Sequence, residues 1–358
     1  MPSPLLTLTL LTAAPLTGVS IAFAINVVGQ VVGQDDSEFP FIWTPQTPNG
    51  ASGASQRLPL LINAGPPSKG TATAVNDNGD AVGFADAFDP SGGQVIRAVF
   101  WAAGGATVRE LGTLVPSLTP PGFFLGNSTA FGINNNGVIV GVSDSPAGVK
   151  HAFAFDLATG LMRDLGSLVP FTMLPGTPDP SRALGINDQG DIVGDATALD
   201  ASGNVVTRAF IVPAGSVVMQ DLGTLQPDPA NPGSFLGDSF AFDINASGMI
   251  VGDSNAVPSP GNLITTAAFF QAGSAPVGMI PALSGARAIN RLNVAVGFIG
   301  LTNSNAFQFD SLSGAADLTS QVGMPGMVIV RAFGINASGQ IAAIANDGSA
   351  TVAVLLTP

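Results

Sequence analysis

The stretch Ala130-Phe131-Gly132-Ile133-Asn134, with the turn Asn135-Asn136-Gly137 and the apolar run 138–142 behind it, decides the fold of this chain. The same five-residue pattern recurs along the sequence in seven places. Its closing asparagines are Asn26, Asn76, Asn134, Asn187, Asn245, Asn290 and Asn336. Successive asparagines are 45 to 58 residues apart. A repeat of this length is typical of propellers and solenoids that are built from one supersecondary unit.

One copy of the repeat predicts four short strands. In the third copy these are 130–134, 138–142, 151–155 and 162–168. Gly, Asn and Asp residues separate the strands, and these residue types accept the positive φ angles of tight hairpins. Pro and Gly are too frequent for helices to form. The sequence therefore predicts an all-β fold, a seven-bladed β-propeller with four antiparallel strands per blade.

The seven predicted blades make one domain over residues 1–358. Their predicted bounds are 20–62 for blade 1, 71–114 for blade 2, 128–168 for blade 3, 181–225 for blade 4, 239–283 for blade 5, 285–322 for blade 6, and 330–356 together with 4–12 for blade 7.

The last repeat has only three strands of its own, and the N-terminal segment is predicted to supply the fourth. Leu8 precedes Ala22 by 14 residues, and Leu58 precedes Ala72 by the same number, so the segment has the spacing of a fourth strand. Pairing with the same blade in a neighbouring molecule is the alternative. The matched spacing favours closure within one chain. The leucines assigned to it are Leu5, Leu6, Leu8, Leu10 and Leu11.

These short motifs together resemble the HAF repeat. The Ala-Phe-x-Ile-Asn start, the Ile-Val-Gly second strand, His151-Ala152-Phe153 and the end Asp221–Leu225 follow one another in the order of that repeat. The resemblance covers nearly the whole chain, although other blades hold Arg97, Arg208 or Asn305 at the histidine position. The family consists of bacterial proteins described as probable extracellular repeat proteins. The resemblance thus implies secretion and a propeller-like fold, and it implies no defined activity.

The composition limits the classes of partner. Only 10% of the residues are charged, against about 25% in ordinary soluble domains. The net charge of −13 and the absence of any basic run argue against nucleic acid as a partner. Cysteine is absent, which excludes disulfides and thiol catalysis. No segment is long and apolar enough for a transmembrane span, and Met1–Ser20 has the pattern of a strand rather than of an export signal.

His151 is the candidate for a catalytic site, and two acidic turns are candidates for a metal site. His151 is the only histidine, and it occupies the position at which other blades hold arginine, so a packing role is favoured over catalysis. The turns that carry Asp77 and Asp80, and Asp188 and Asp191, have the alternating oxygens of a calcium loop. A hairpin turn held by the first asparagine is the favoured interpretation, because the same register in other blades lacks enough carboxylates. No cofactor and no metal is therefore assigned.

Long connections between blades carry the remaining candidates, which are apolar residues at loop tips. These interaction-loop candidates are Phe123, Phe124, Leu125, Phe171, Met173, Leu174, Phe235 and Leu236. Such residues either dock a neighbouring molecule or fold down onto their own propeller.

Scarce charge and apolar loops favour a secreted, extracellular, non-catalytic structural protein that self-associates into a filament or tube. The alternative is a binding module for a glycan, a small molecule or a protein, through the long-loop face or the central channel. A hydrolase or lyase acting through His151 is the third hypothesis. Expected partners are further copies of the chain, the extracellular matrix or a glycan.

Overall fold

A computed structural model describes residues 6–11, 19–61, 68–117, 124–169, 179–256, 263–280, 282–300 and 305–358. It confirms the predicted fold class, a seven-bladed β-propeller with four antiparallel strands in each blade. The described parts of the chain contain no helix that is long and apolar enough to cross a membrane. Leu5, Phe123, Phe171, Met173 and Leu174 lie outside the described residues.

The strands are numbered in chain order. Blade 1 comprises β2 Ile21–Ile25, β3 Val31–Gln34, β4 Pro40–Pro45 and β5 Gly53–Arg57; blade 2, β6 Gly70–Val75, β7 Ala81–Phe88, β8 Gln94–Trp101 and β9 Val108–Gly112; blade 3, β10 Ser128–Ile133, β11 Val138–Asp144, β12 Lys150–Asp156 and β13 Leu161–Gly166; blade 4, β14 Ser181–Ile186, β15 Ile192–Leu199, β16 Val205–Val212 and β17 Gln220–Asp221. Blade 5 comprises β18 Ser239–Ile244, β19 Ile250–Ala256, β20 Ile264–Phe270 and β21 Val277–Gly278; blade 6, β22 Ser284–Ile289, β23 Ala295–Ile299, β24 Asn305–Asp310 and β25 Gly314–Asp317; blade 7, β26 Val328–Ile335, β27 Ile341–Asn346, β28 Thr351–Thr357 and β1 Thr7–Leu10.

The chain divides into two compact units. One comprises residues 1–88, 93–110 and 287–358, and it holds blades 1 and 2, blade 7 and most of blade 6. The other comprises residues 89–92 and 111–286, and it holds blades 3, 4 and 5. Each unit has apolar clusters in which side chains of neighbouring blades interlock, such as Trp101 in the first unit and Phe210 in the second.

The N-terminal strand closes blade 7, as the spacing predicted. β1 pairs with β28 in antiparallel register, with Thr7 opposite Thr357 and Leu10 opposite Val354. Leu6 and Leu11 are buried, Leu8 is half-buried, and Leu10 is 43% exposed. A hydrogen bond also joins blade 7 to the start of blade 1, since the amide of Ala353 donates to the hydroxyl of Ser20. One chain thus supplies all four strands of its last blade.

The recurring asparagine explains why the motif ends as it does. In each copy its side-chain oxygen accepts backbone amides of the turn that follows, as Asn134 does from Asn136 and Val138. In five copies the side-chain amide donates to the backbone oxygen of the equivalent asparagine in the next blade. In the first unit these bonds run from Asn26 to Asn76, from Asn290 to Asn336 and from Asn336 to Asn26; in the second, from Asn134 to Asn187 and from Asn187 to Asn245. We call this series the asparagine ladder.

A β-bulge in the first strand requires the glycine of the Ile-Val-Gly run. The register shifts between Ala130 and Gly132, where the strand carries one extra residue. The bulge brings the carbonyl of Thr129 so close to Gly141 that a Cβ there would lie 2.0 Å from the oxygen. Because no side chain fits at that distance, the second strand keeps a glycine. Blade 7 departs from the pattern, since Ala343 stands there and its first strand carries a second register shift.

Candidate ligand-binding site

Two arginines and three phenylalanines form a cluster on the first and second strands of blades 6, 7 and 1. All five residues belong to the same compact unit. Arg287 lies on β22 and Phe298 on β23; Arg331 and Phe333 lie on β26, and Phe23 lies on β2. We call these five residues the arginine–phenylalanine cluster. Phe23 and Phe333 occupy the extra position of the bulge in their strands, which has no cross-strand partner in the register. All five residues are partly exposed, although Nε of Arg331 is buried.

Both arginines of the cluster stack on the same ring. The guanidinium carbon of Arg287 lies 4.8 Å from the centroid of Phe298, and that of Arg331 lies 4.5 Å from it. Arg331 is also 5.6 Å from the ring of Phe333, which meets Phe23 edge to face at 5.5 Å. Cation–π contacts of this kind fix the plane of a guanidinium.

The cross-strand neighbour of Arg331 on β27 is Ile344. The same position in blade 4 is Arg182, whose partner on β15 is Asp195. Their charged groups form a salt bridge, with 2.8 Å between Nη2 and Oδ1. Burial raises the pKa of Asp195, and Arg182 partly offsets that increase. Arg182 is thus part of an ion pair, whereas Arg331 stacks on an aromatic ring.

The cluster can bind an anion that also has a flat or apolar face. Two guanidinium groups beside one ring repel each other, and a bound carboxylate, sulfate or phosphate reduces that repulsion. The rings add apolar contact area for the rest of the ligand. None of the five residues is an acid, a base or a nucleophile at neutral pH, so the chemistry that the cluster offers is binding.

Two of the predicted interaction loops fold back onto their own chain. A Cβ on Gly112 would lie 2.5 Å from the ring of Phe124, and one on Gly223 would lie 2.6 Å from that of Phe235. Thr113 donates its hydroxyl to the carbonyl of Leu125 at 2.8 Å, and Thr224 does the same to Leu236 at 2.7 Å. Both phenylalanines and Leu236 are half-buried, and Leu125 is 40% exposed.

The acidic residues of the calcium-like turns bond to backbone and side-chain amides. Asp77 accepts the amide of Val27, and Asp80 accepts that of Ala103. Asp188 accepts both the backbone and the side-chain amide of Asn135, and Asp191 accepts the amide of Ala214. Among the residues that the structure describes, no three His, Asp or Glu side chains are grouped as a metal site.

His151 belongs to a contact that recurs between the third and fourth strands. Its Nδ1 lies 2.9 Å from Asp164. The equivalent pairs are Arg97 with Glu110 at 2.9 Å and Arg208 with Asp221 at 3.6 Å. In each pair the acid follows the cation by 13 residues. In blade 3 a second acid, Asp179, lies 3.5 Å from Nε2 of His151.

Comparison with known proteins gives the fold and no family. No family model matches the chain, and no curated protein matches it. Among solved structures, it is similar to the β-propeller domain of the Trilobed protease from Pyrococcus furiosus, with a TM-score of 0.53, 8% identity, and coverage of 96% of this chain and 93% of that one. That domain is described as having an open velcro topology, whereas here β1 pairs with β28.

The chain is also similar to a puromycin-hydrolysing peptidase of Mycobacterium tuberculosis, with a TM-score of 0.52, 12% identity and coverage of 87% of this chain. TolB from Acinetobacter baumannii gives a TM-score of 0.42 at 12% identity over 77% of this chain. The chain spans 48% of the length of the peptidase and 63% of that of TolB.

The predicted function, a non-catalytic structural protein that self-associates, is wrong. The solved propellers with this fold include those of peptidases. The loops that suggested self-association use Phe124 and Phe235 to pack against glycines of their own chain. The predicted exclusion of enzymes therefore no longer follows from the fold, since the similar propellers belong to a protease and a peptidase.

Sequence reasoning did not find the arginine–phenylalanine cluster. One signal was present, since Arg287 stands at a motif position where other blades have phenylalanine, leucine or threonine. The contact of Arg331 with Phe298 joins two blades and depends on how their strands pack, which the repeat pattern does not specify.

Proposed function

We propose that this chain is a ligand-binding β-propeller module that takes an anionic ligand on the arginine–phenylalanine cluster. The observation that carries the proposal is the shared ring of Phe298, on which the guanidinium groups of both Arg287 and Arg331 stack. The ligand would carry a carboxylate, sulfate or phosphate group and a flat or apolar face. Function in such a fold depends on the site and not on the scaffold, so the likeness to peptidase propellers adds no catalytic role.

The experiment is a calorimetric titration with acidic oligosaccharides. Oligogalacturonate supplies carboxylates, a heparin-derived oligosaccharide supplies sulfates, and a neutral galactose oligomer is the matched control ligand. We expect at least one acidic probe to bind, with affinity that falls as salt is added, because screening weakens ionic contacts. The neutral oligomer should not bind.

Two variants locate the binding. Arg331→Gln should weaken binding about tenfold, which corresponds to about 1.4 kcal/mol. Arg291→Gln removes the same charge from an exposed turn of blade 6 and should leave the affinity unchanged. Equal loss in both variants, or failure of both acidic probes to bind the unaltered protein, would refute the proposal.

An extracellular location and membership of the HAF-repeat family belong to the same proposal. They are supported by the order of the repeat motifs and by the scarcity of charged residues. Immunodetection of the protein in the culture medium and in cell extracts of its native host tests the location. Retention inside intact cells would contradict it.

A further inference from the structure

His151 connects blades 3 and 4 through two carboxylates that come from different blades. Its Nδ1 donates to Asp164 of β13, with 2.9 Å between Nδ1 and Oδ2. Its Nε2 faces Asp179, with 3.5 Å between Nε2 and Oδ1. Asp179 lies two residues before β14, the first strand of blade 4. The imidazole ring therefore links the outer strand of one blade to the start of the next.

The contact between His151 and Asp179 is buried. His151 is 8% exposed and Asp179 is 4% exposed. Neither Nε2 nor Oδ1 of Asp179 has a hydrogen-bond partner among the described residues. A buried carboxylate is costly unless a positive charge lies beside it. Asp179 thus depends on the charge of the imidazole ring.

The charge of His151 is conditional, unlike that of its counterparts. Blades 2 and 4 hold Arg97 and Arg208 at this position, and arginine keeps its charge at all ordinary pH values. A neutral imidazole that donates Nδ1–H to Asp164 presents a lone pair at Nε2. That lone pair would face a carboxylate oxygen, so the contact would change from attractive to repulsive.

We propose that His151 is a proton-dependent contact between blades 3 and 4, in which the imidazolium holds Asp179 in its buried position and the neutral ring releases it. Release would disturb the two residues that follow Asp179. The carbonyl of Pro180 accepts the amide of Thr197, and the hydroxyl of Ser181 accepts that of Ala152. Both amides would lose protection from solvent.

The surrounding charges set the direction of the pH response. Asp164 and Asp179 are the charged groups that face the ring; Lys150 is its neighbour on β12 and lies opposite Asp144 of β11. The hydrogen bond that His151 donates to Asp164 raises the pKa of His151 above 6.5, more than burial lowers it. The contact is therefore complete at mildly acidic pH, and it is lost as the pH rises through that raised pKa.

Amide hydrogen exchange measured by NMR on the intact chain tests the proposal with an internal control. The amide of Ala152 bonds to Ser181, and the amide of Ala209, beside Arg208, makes the equivalent bond to Ser239. After correction for intrinsic exchange rates, the protection of Ala152 should fall up to about tenfold per pH unit above the pKa of His151. The protection of Ala209 should not follow. Parallel behaviour of the two amides would overturn the proposal.

Two variants identify the groups responsible. His151→Arg gives blade 3 the permanent cation of its neighbours, so Ala152 should stay protected at alkaline pH. Asp179→Asn removes the charge that depends on the imidazolium, so the pH response of Ala152 should disappear. A response that persists in either variant would show that another group titrates. The unaltered protein already decides the question if one variant fails to fold.

Discussion

Arg182 in blade 4 and Arg331 in blade 7 hold the same place in the repeat, directly before the alanine of the motif, yet their surroundings differ. Arg182 faces Asp195 across the sheet and forms a salt bridge with it. Arg331 faces Ile344 and stacks on Phe298 of blade 6. The residue on the opposite strand thus differs between two copies of the same arginine position, and so does the contact that the guanidinium makes. The proposed binding site therefore depends on the neighbours of Arg331 and not on its place in the repeat.

The largest expected effect is on stability, in Arg182→Ala. This variant leaves Asp195 buried without its counter-charge, and we expect a loss of about 2 kcal/mol at neutral pH, less than for a fully buried pair because Arg182 is half-exposed. Urea unfolding measures it.

The same variant has a distinct pH dependence. Burial already raises the pKa of Asp195, and removal of Arg182 raises it further. Protonation at acidic pH removes the buried charge, so the loss of stability should shrink as the pH falls. An equal loss at acidic and neutral pH would contradict the role assigned to the pair.

The next effect is on binding, in Ile344→Asp, which gives Arg331 the cross-strand carboxylate that Arg182 has. We expect affinity for the acidic oligosaccharide to fall about tenfold, because the new carboxylate competes for the guanidinium. Calorimetry measures the affinity. Ile344→Asn is the matched control, and if it weakens binding as much as Ile344→Asp does, charge is not the cause.

A smaller effect is expected in Phe298→Leu, which keeps an apolar side chain and removes the ring shared by Arg287 and Arg331. We expect a loss of about 1 kcal/mol in the free energy of unfolding, together with weaker binding, because both cation–π contacts disappear. Phe84→Leu alters the same second-strand position in blade 2 and controls for the change in volume. If Phe298→Leu and Phe84→Leu changed the affinity equally, Phe298 would not belong to the binding site.

The smallest effect is expected in Arg331→Lys. The charge remains, but the planar group that stacks on Phe298 and Phe333 is lost, so we expect about 0.5 kcal/mol less affinity. Full retention of affinity, measured beside Arg331→Gln, would mean that charge alone is recognised.

Much of the architecture could be predicted because short repeated motifs and their spacing determine it. The asparagine and the turn behind it mark each blade, and the leucines near residue 8 stand at the distance from Ala22 that a fourth strand requires. The first strand nevertheless begins earlier than predicted in blade 3, at Ser128, because that serine bonds to the carbonyl of Gly112 across the blade boundary.

The candidate sites were less predictable because they join residues from different blades. Nothing in the sequence around Arg331 indicates that Phe298, 33 residues earlier, lies beneath it. Asp179 was missed as the second partner of His151 for the same reason, since a long connection separates them. The phenylalanines of the loops were noticed for their apolar character, but their packing against Gly112 and Gly223 depends on loop conformation.

The asparagine ladder also makes the protein sensitive to chemical ageing. Five of the repeat asparagines donate to the next blade through the side-chain amide that slow deamidation hydrolyses, and the product is a carboxylate. At Asn187 the carboxylate would still accept the amides of its own turn, but it would face the carbonyl of Asn245 with no hydrogen to offer. Deamidation of Asn187 would therefore weaken the contact between blades 4 and 5, and it would also place the new carboxylate beside that of Asp191 in the same turn.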